Sequence, residues 1–139
     1  MYQLESNLQY WHSKLNKELF NNELEVAKIV IKDSEIAKEE GIEAEFIEWH
    51  YRPYIAFYSW SIEDDASVSI HEITVLLHEM IHQYCRQEGI VDMDSNGEHN
   101  STFSAVAEKH GLNRYGYQLQ SQLEDEIDAE LDWFRNWEY

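Results

Sequence analysis

The stretch from residue 74 to residue 84 constrains this chain most, because it places two histidines and a glutamate within a helical pattern of apolar residues. His78 and His82 are four residues apart, and residues at this spacing lie above one another on one face of an α-helix. Both imidazoles can therefore reach one metal ion. Glu79 lies about 100° around the helix from His78, so its carboxylate can act as a base beside the metal.

Start and stop signals flank this stretch. Ser69 can cap the N-terminus of the helix, and Glu72 three residues later completes a capping box. Gly89 can end the helix in a left-handed conformation. The apolar residues between them predict a largely buried helix: Ile70, Ile73, Leu77, Met80, Ile81 and Tyr84. Buried polar side chains need partners, which favours a metal site over a histidine pair satisfied by ordinary hydrogen bonds.

A catalytic zinc site has three protein ligands and one open position, so a third ligand is needed. His99 is the best candidate, because it directly precedes a predicted helix that Asn100 or Ser101 can cap. Glu98 or Glu108 could serve instead, since a glutamate from a following helix is the third ligand in thermolysin-like sites.

Three segments in this order resemble the SprT-like zinc metallopeptidase domain, which is shared with the Spartan-type DNA–protein crosslink proteases. Residues 19–24 are similar to the family's early "lFN-x-x-L" segment, and residues 76–82 to its "LLHEMIH" core. Residues 97–99, followed by Phe103, are similar to its "G-H-G-x-x-F" segment. The resemblance covers residues 9–112. No Cys-x-x-Cys zinc ribbon follows, and Asn100 stands where the family usually has glycine.

The resemblance implies a zincin-like metalloprotease domain that binds one zinc ion through His78, His82 and His99. It implies a zinc-dependent endopeptidase in which Glu79 is the general base for a water molecule activated by the metal. The expected substrate is a protein or peptide, and the family suggests DNA-associated proteins.

Apolar periodicity predicts an α+β fold in a single domain, residues 1–139. Residues 3–20 and 118–137 are predicted amphipathic helices, the second one acidic. Segments rich in β-branched and aromatic residues predict a small sheet with three strands: residues 26–32, 46–51 and 54–60. The dipeptide Arg52-Pro53 is predicted to be a turn or an edge position.

Acidic residues dominate the composition, with 28 Asp and Glu against 10 Lys and Arg and a formal net charge of −18. This charge opposes binding to phosphate groups and argues against direct DNA binding. The C-terminal helix has an apolar stripe that predicts docking on the rest of the domain: Leu119, Leu123, Ile127, Leu131, Phe134 and Trp137.

The acidic outer face of this helix offers an alternative function. The protein would then be a non-catalytic adaptor or inhibitor that is stabilised by zinc and acts through the helix. A fourth protein ligand, such as Cys85 or His71, would close the metal site in that case.

Further polar residues carry weaker signals. His12 is expected to be partly exposed on the first helix, and His110 to be a structural histidine or a charge at a helix C-terminus rather than a ligand. Tyr115 or Tyr117 is a candidate hydrogen-bond donor to a tetrahedral intermediate. Residues 92–97 resemble the start of a calcium-binding loop, but the twelfth loop position lacks the required glutamate, so they are predicted to form a polar loop that delivers His99.

Cys85 is the only cysteine, so no internal disulfide can form, which favours an intracellular compartment. It is expected to be a small buried apolar residue. The first residues lack the features of a signal peptide, and no apolar run is long enough to cross a membrane.

Overall fold

The computed structural model of the chain describes residues 3–137, with side chains described as far as residue 133. Over this range the fold is α+β, with five α-helices and a small mixed sheet. The elements in chain order are α1 (Gln3–Phe20), β1 (Lys28–Lys32), α2 (Glu35–Glu40), β2 (Ala44–Trp49), β3 (Arg52–Tyr58), a 3₁₀ turn (Ser59–Ser61), α3 (Ile70–Glu88), α4 (Ser101–Lys109) and α5 (Ser121–Trp137).

The sheet has the order β1-β3-β2, so β3 is central and β2 lies at an edge. β1 pairs with β3 in parallel, and β2 pairs with β3 antiparallel. α3 packs against both β2 and α1. The helix that carries the two-histidine motif therefore lies beside an edge strand.

The turn between β2 and β3 differs from the sequence prediction. His50 and Tyr51 were expected to continue the second strand, but they form the turn, with φ of 49° and 64°. Trp49 pairs with Arg52, which leaves a two-residue hairpin loop that requires this left-handed backbone. Arg52 and Pro53 consequently belong to β3. Pro53 is accommodated because β3 begins to pair with β1 only at Tyr54.

Helix α3 begins and ends where its sequence signals predict. Ser69 accepts a hydrogen bond from the Glu72 backbone N–H, and the Glu72 side chain accepts one from the Ser69 N–H, which completes the capping box. Gly89 follows the last helical residue with φ of 68°, and its N–H bonds to carbonyls of the final turn.

The core lies between α1, α3 and the sheet, and the apolar face of the predicted amphipathic helix α1 supplies Leu4, Leu8 and Leu15 to it. His12 of α1 is also buried, with only 1% of its surface exposed, so the expectation of a partly exposed histidine is wrong. It is buried because Gln83 of α3 lies opposite, and its Oε1 is 2.9 Å from His12 Nε2.

The C-terminal helix starts at Ser121 rather than at residue 118. Leu119 forms an isolated β-bridge with Leu112 and precedes the helix. Ile127 and Leu131 of α5 join the core as predicted, whereas the side chains of Phe134 and Trp137 lie outside the described residues. In the part of the chain that is described, no helix combines the length and the apolarity needed to span a membrane.

Candidate metal centre

Three histidines, two from helix α3 and one from the loop before α4, converge at one point. His78 and His82 project from the same face of α3, and His99 stands directly before α4. One ligand nitrogen from each of the three lies within 4.8 Å of the others. His82 Nε2 and His99 Nε2 are 3.2 Å apart. This group could hold a metal ion.

Partners on the far side of two rings orient their free nitrogens. His78 Nδ1 is 2.7 Å from the Gly116 carbonyl oxygen, and His82 Nδ1 is 2.7 Å from Asp92 Oδ2. Both partners are acceptors, so each Nδ1 carries the proton and donates it. The Nε2 atom of each neutral imidazole then keeps an unprotonated lone pair, as metal coordination requires.

The ring of Phe103 packs against all three histidine rings. It is fully buried and stacks on His99 at a centroid distance of 3.9 Å, with His82 and His78 at 5.0 and 5.3 Å. Tyr117 lies parallel to the His78 ring at 5.0 Å. His78 is thus held between two aromatic rings, and all three imidazoles contact Phe103, so they need little reorganisation to share one ion.

Gly116 allows the last segment to approach the centre this closely. Its φ is 80°, a conformation that favours glycine. An added Cβ would lie 2.8 Å from the Phe103 ring and 2.9 Å from His78 Nδ1. No other residue type could bring its carbonyl to His78 without moving these groups.

The glutamate that follows His78 is buried against the edge strand. Glu79 Oε1 accepts a hydrogen bond of 2.9 Å from the Phe46 backbone N–H. Burial raises the pKa of Glu79 to about 8, and the nearby charge of Glu45 acts in the same direction. A cation held by the three histidines would lower it again, because an opposite charge favours the ionised carboxylate.

Burial also favours neutral imidazoles. It lowers the pKa of His78 to about 4, an effect that the hydrogen bond to Gly116 only partly offsets. Burial and the neighbouring His82 likewise lower the pKa of His99. Neutral imidazole is the form that binds metals.

The other ligand candidates do not join the cluster. Glu98 and Glu108 are exposed and lie outside the group of converging nitrogens. Cys85 is buried in the core, as expected, where desolvation raises the pKa of its thiol to about 12. His71 is exposed and bonded to Glu43.

Two residues at this centre carry no motif signal. Asp92 was interpreted only as part of a polar loop, and Gly116 had no predicted role at the centre, yet each supplies the acceptor for one imidazole. Of the two tyrosine candidates, Tyr117 contacts the rings of His78 and His99, whereas Tyr115 bonds to Arg114. His110 lies outside the cluster; it is buried, bonded to the Val106 carbonyl and stacked on Phe20.

Comparison of the chain with protein-family models, with curated proteins and with solved structures gives no match. The chemistry of the cluster must therefore support any functional conclusion.

Proposed function

We propose that this protein is a zinc-dependent endopeptidase with a zincin-like, SprT-like fold. The observation that carries the proposal is the convergence of His78, His82 and His99 beside a buried glutamate, Glu79. Three neutral imidazoles with an adjacent carboxylate form the ligand set and base of zinc peptidases. The motif resemblance in residues 9–112 supports the same assignment.

The donor atoms suit zinc. Two nitrogens that each lie about 2.0–2.1 Å from one tetrahedral zinc ion are about 3.3 Å apart, and the separation between His82 Nε2 and His99 Nε2 is 3.2 Å. The same distance fits an N–H···N hydrogen bond from His99 to His82, which a metal would replace. Bound zinc would lower the pKa of a water molecule and polarise the scissile carbonyl.

Glu79 is placed to move the proton. Its Oε1 is held by the Phe46 N–H, which fixes the carboxylate on the side of α3 that faces β2. We infer that a Glu79 oxygen accepts a proton from the attacking water and delivers it to the nitrogen of the leaving amine. The Phe46 N–H positions the carboxylate of Glu79, and its hydrogen bond also favours the ionised form of that carboxylate.

We infer that an extended peptide pairs with β2 along the part of its outer edge that Glu79 leaves open. The Tyr58 N–H donates to the Glu43 carbonyl, so these two residues form a hydrogen-bonded pair. Every second residue of β2 after Glu43 is then also hydrogen-bonded to β3. The backbone groups of Ala44, Phe46 and Glu48 then point away from β3, and the Phe46 N–H meets Glu79 there. A substrate strand that pairs with this edge would pass the base.

The cluster favours this proposal over the adaptor or inhibitor alternative. A structural zinc site has four protein ligands, and the cluster found among residues 3–133 contains three. The substrate is proposed to be a protein or peptide, and the net charge of −18 argues against direct DNA contact. The single buried thiol of Cys85 fits an intracellular location.

Metal content tests the proposal first. Elemental analysis of protein purified without a histidine tag should give one zinc ion per wild-type chain. His99→Ala should lose most of it, because two ligands on one helix bind zinc much more weakly than three. No zinc in the wild type, even after zinc titration, contradicts the proposal.

Glu79→Gln separates catalysis from metal binding. The glutamine keeps an oxygen that can accept the Phe46 N–H, so the variant should fold and bind zinc like the wild type. It cannot take up a proton from water, so peptide hydrolysis should fall by at least about 10²-fold. Full activity of the zinc-loaded variant would exclude Glu79 as the base.

A further inference from the structure

We propose that Asp92 is a positioning residue that holds two of the three histidines in place before any metal binds. This inference rests on the metal site proposed above. The Asp92 carboxylate accepts a hydrogen bond of 2.7 Å from His82 Nδ1. Its backbone carbonyl accepts one of 3.1 Å from the Asn100 N–H, directly after His99. One residue thus fixes the second histidine through its side chain and the third through its main chain.

The loop around Asp92 is built as a short antiparallel ribbon. Met93 and His99 form a β-bridge, and the Asp94 N–H donates to the Glu98 carbonyl at 2.8 Å. The Asp94 side chain turns inward and accepts the Glu98 N–H at 3.1 Å. The two aspartates therefore have separate tasks, since Asp94 closes the loop tip whereas Asp92 reaches out of the loop to α3.

Asn100 continues the same connection into α4. Its side-chain oxygen caps the helix by accepting the Phe103 N–H at 2.9 Å, and its amide nitrogen donates to the Val91 carbonyl. The backbone on both sides of His99 is consequently tied to residues 91–94 and to the N-terminus of α4. A displacement of Asp92 would be transmitted to His99 through these bonds.

The bond to His82 also sets the tautomer of that ring. An acceptor at Nδ1 keeps the proton there and leaves Nε2 free, 3.2 Å from His99 Nε2. A free imidazole prefers to carry its proton on Nε2, where it would block the metal. The side chains of His82 and Asp92 are only 14% and 17% exposed, so water competes weakly for this hydrogen bond.

Zinc affinity tests this role, with the wild type and three variants measured by competition with a chelator of known affinity. Asp92→Ala should weaken zinc binding about 10–100-fold, as loss of an outer-sphere partner typically does. Asp92→Asn keeps an acceptor oxygen and should recover part of that loss. Asp94→Asn is the matched control: it removes the same charge from the same loop but has no contact with a ligand ring, and should bind like the wild type.

The tautomer of His82 provides a readout that needs no metal. In zinc-free protein, nitrogen-15 NMR of the imidazoles should report His82 protonated at Nδ1 in the wild type and in Asp92→Asn. In Asp92→Ala the proton should shift toward Nε2, whereas a residue that merely stabilised the fold would leave the ring unchanged.

Several outcomes overturn the inference. Wild-type zinc affinity in Asp92→Ala would do so, as would an equal loss in Asp94→Asn, which would point to loop charge alone. An unchanged His82 tautomer in Asp92→Ala would also contradict it. If the wild type binds zinc but Asp92→Ala binds equally well, only this inference fails, whereas a wild type that takes up no zinc overturns the metal centre and this inference with it.

Discussion

At the scale of single residues, two of the three imidazoles of the candidate centre depend on a partner from a later segment of the chain. His78 and Gly116 are 38 positions apart, and His82 and Asp92 are 10 apart. A ligand set at helical spacing therefore needs acceptors from two later segments before its nitrogens point the right way. The residues that bind and the residues that orient them are separate sets.

Gly116→Ala tests this dependence. The new Cβ would meet the Phe103 ring and His78 Nδ1, so the 113–118 segment must move and His78 loses its acceptor. We expect a loss of about 1–3 kcal/mol in the free energy of unfolding and weaker zinc binding. Chemical denaturation and zinc titration measure the two effects.

Gly41→Ala is the control for this substitution. Gly41 has a similar φ of 71°, but an added Cβ meets nothing within 4 Å. Gly41→Ala therefore introduces the backbone strain without a steric clash, and the variant should bind zinc with the affinity of the wild type. An equal loss of affinity in both variants would show that strain, and not the contact with His78, is responsible.

At the scale of elements, α1 and α3 are joined by a buried polar pair as well as by apolar packing. His12 Nε2 donates to Gln83 Oε1, and Gln83 Nε2 donates to the Glu25 carbonyl at 2.8 Å. Gln83 directly follows His82 and lies about 100° further around the helix, so this pair anchors α3 on a different face from the one that carries the metal ligands. Contacts on more than one face therefore hold the helix at the level of the motif.

The buried His12 should make stability depend on pH. Burial lowers its pKa below the usual value of 6.5, and the hydrogen bond to Gln83 offsets this only in part. The unfolded chain then binds more protons than the folded one just below pH 6.5, so stability is complete above that pH and falls as the pH drops toward the folded pKa.

Urea unfolding of the wild type and His12→Gln at pH 7.5 and 5.5 measures this effect. The variant should lose about 1–3 kcal/mol at pH 7.5, because the buried hydrogen bond is disturbed. It should lose less additional stability at pH 5.5 than the wild type. His78, His99 and His110 shift in the same direction and remain in both proteins, so the difference isolates His12. Parallel losses in the two proteins would contradict the assignment.

At the scale of the whole molecule, acidic charge dominates the surface. The net charge is −18, and several basic side chains are already paired with carboxylates, including Lys14 with Glu130 and Arg86 with Glu48. A protein with this negative charge repels the phosphate groups of nucleic acids over about the Debye length, which is about 8–10 Å at physiological salt.

The zinc-loaded protein should therefore bind neither single- nor double-stranded DNA at physiological ionic strength. Fluorescence anisotropy with labelled oligonucleotides measures this, and lowering the salt concentration should not produce binding. Binding that weakens steeply as salt rises would contradict the prediction, because it would reveal a basic patch large enough to release counterions.

Features that depend on neighbours along the chain follow from the amino-acid sequence alone. The spacing of His78 and His82, the capping box at Ser69 and the left-handed end at Gly89 all follow from local helix geometry, and the structure has them where the sequence predicts them. The cap at Asn100 is equally local and fixes where His99 enters.

Contacts between groups that are distant in the chain depend on the tertiary packing. The His50-Tyr51 turn was missed because aromatic residues have high strand propensity, and the pairing of β2 with β3 overrides it. The burial of His12 and the contacts of Asp92 and Gly116 with the imidazoles depend on how segments far apart in the chain pack together. A helix repeats every few residues, so its pattern is visible within a short segment of sequence. A hydrogen bond between residues 38 positions apart leaves no repeating pattern in the sequence.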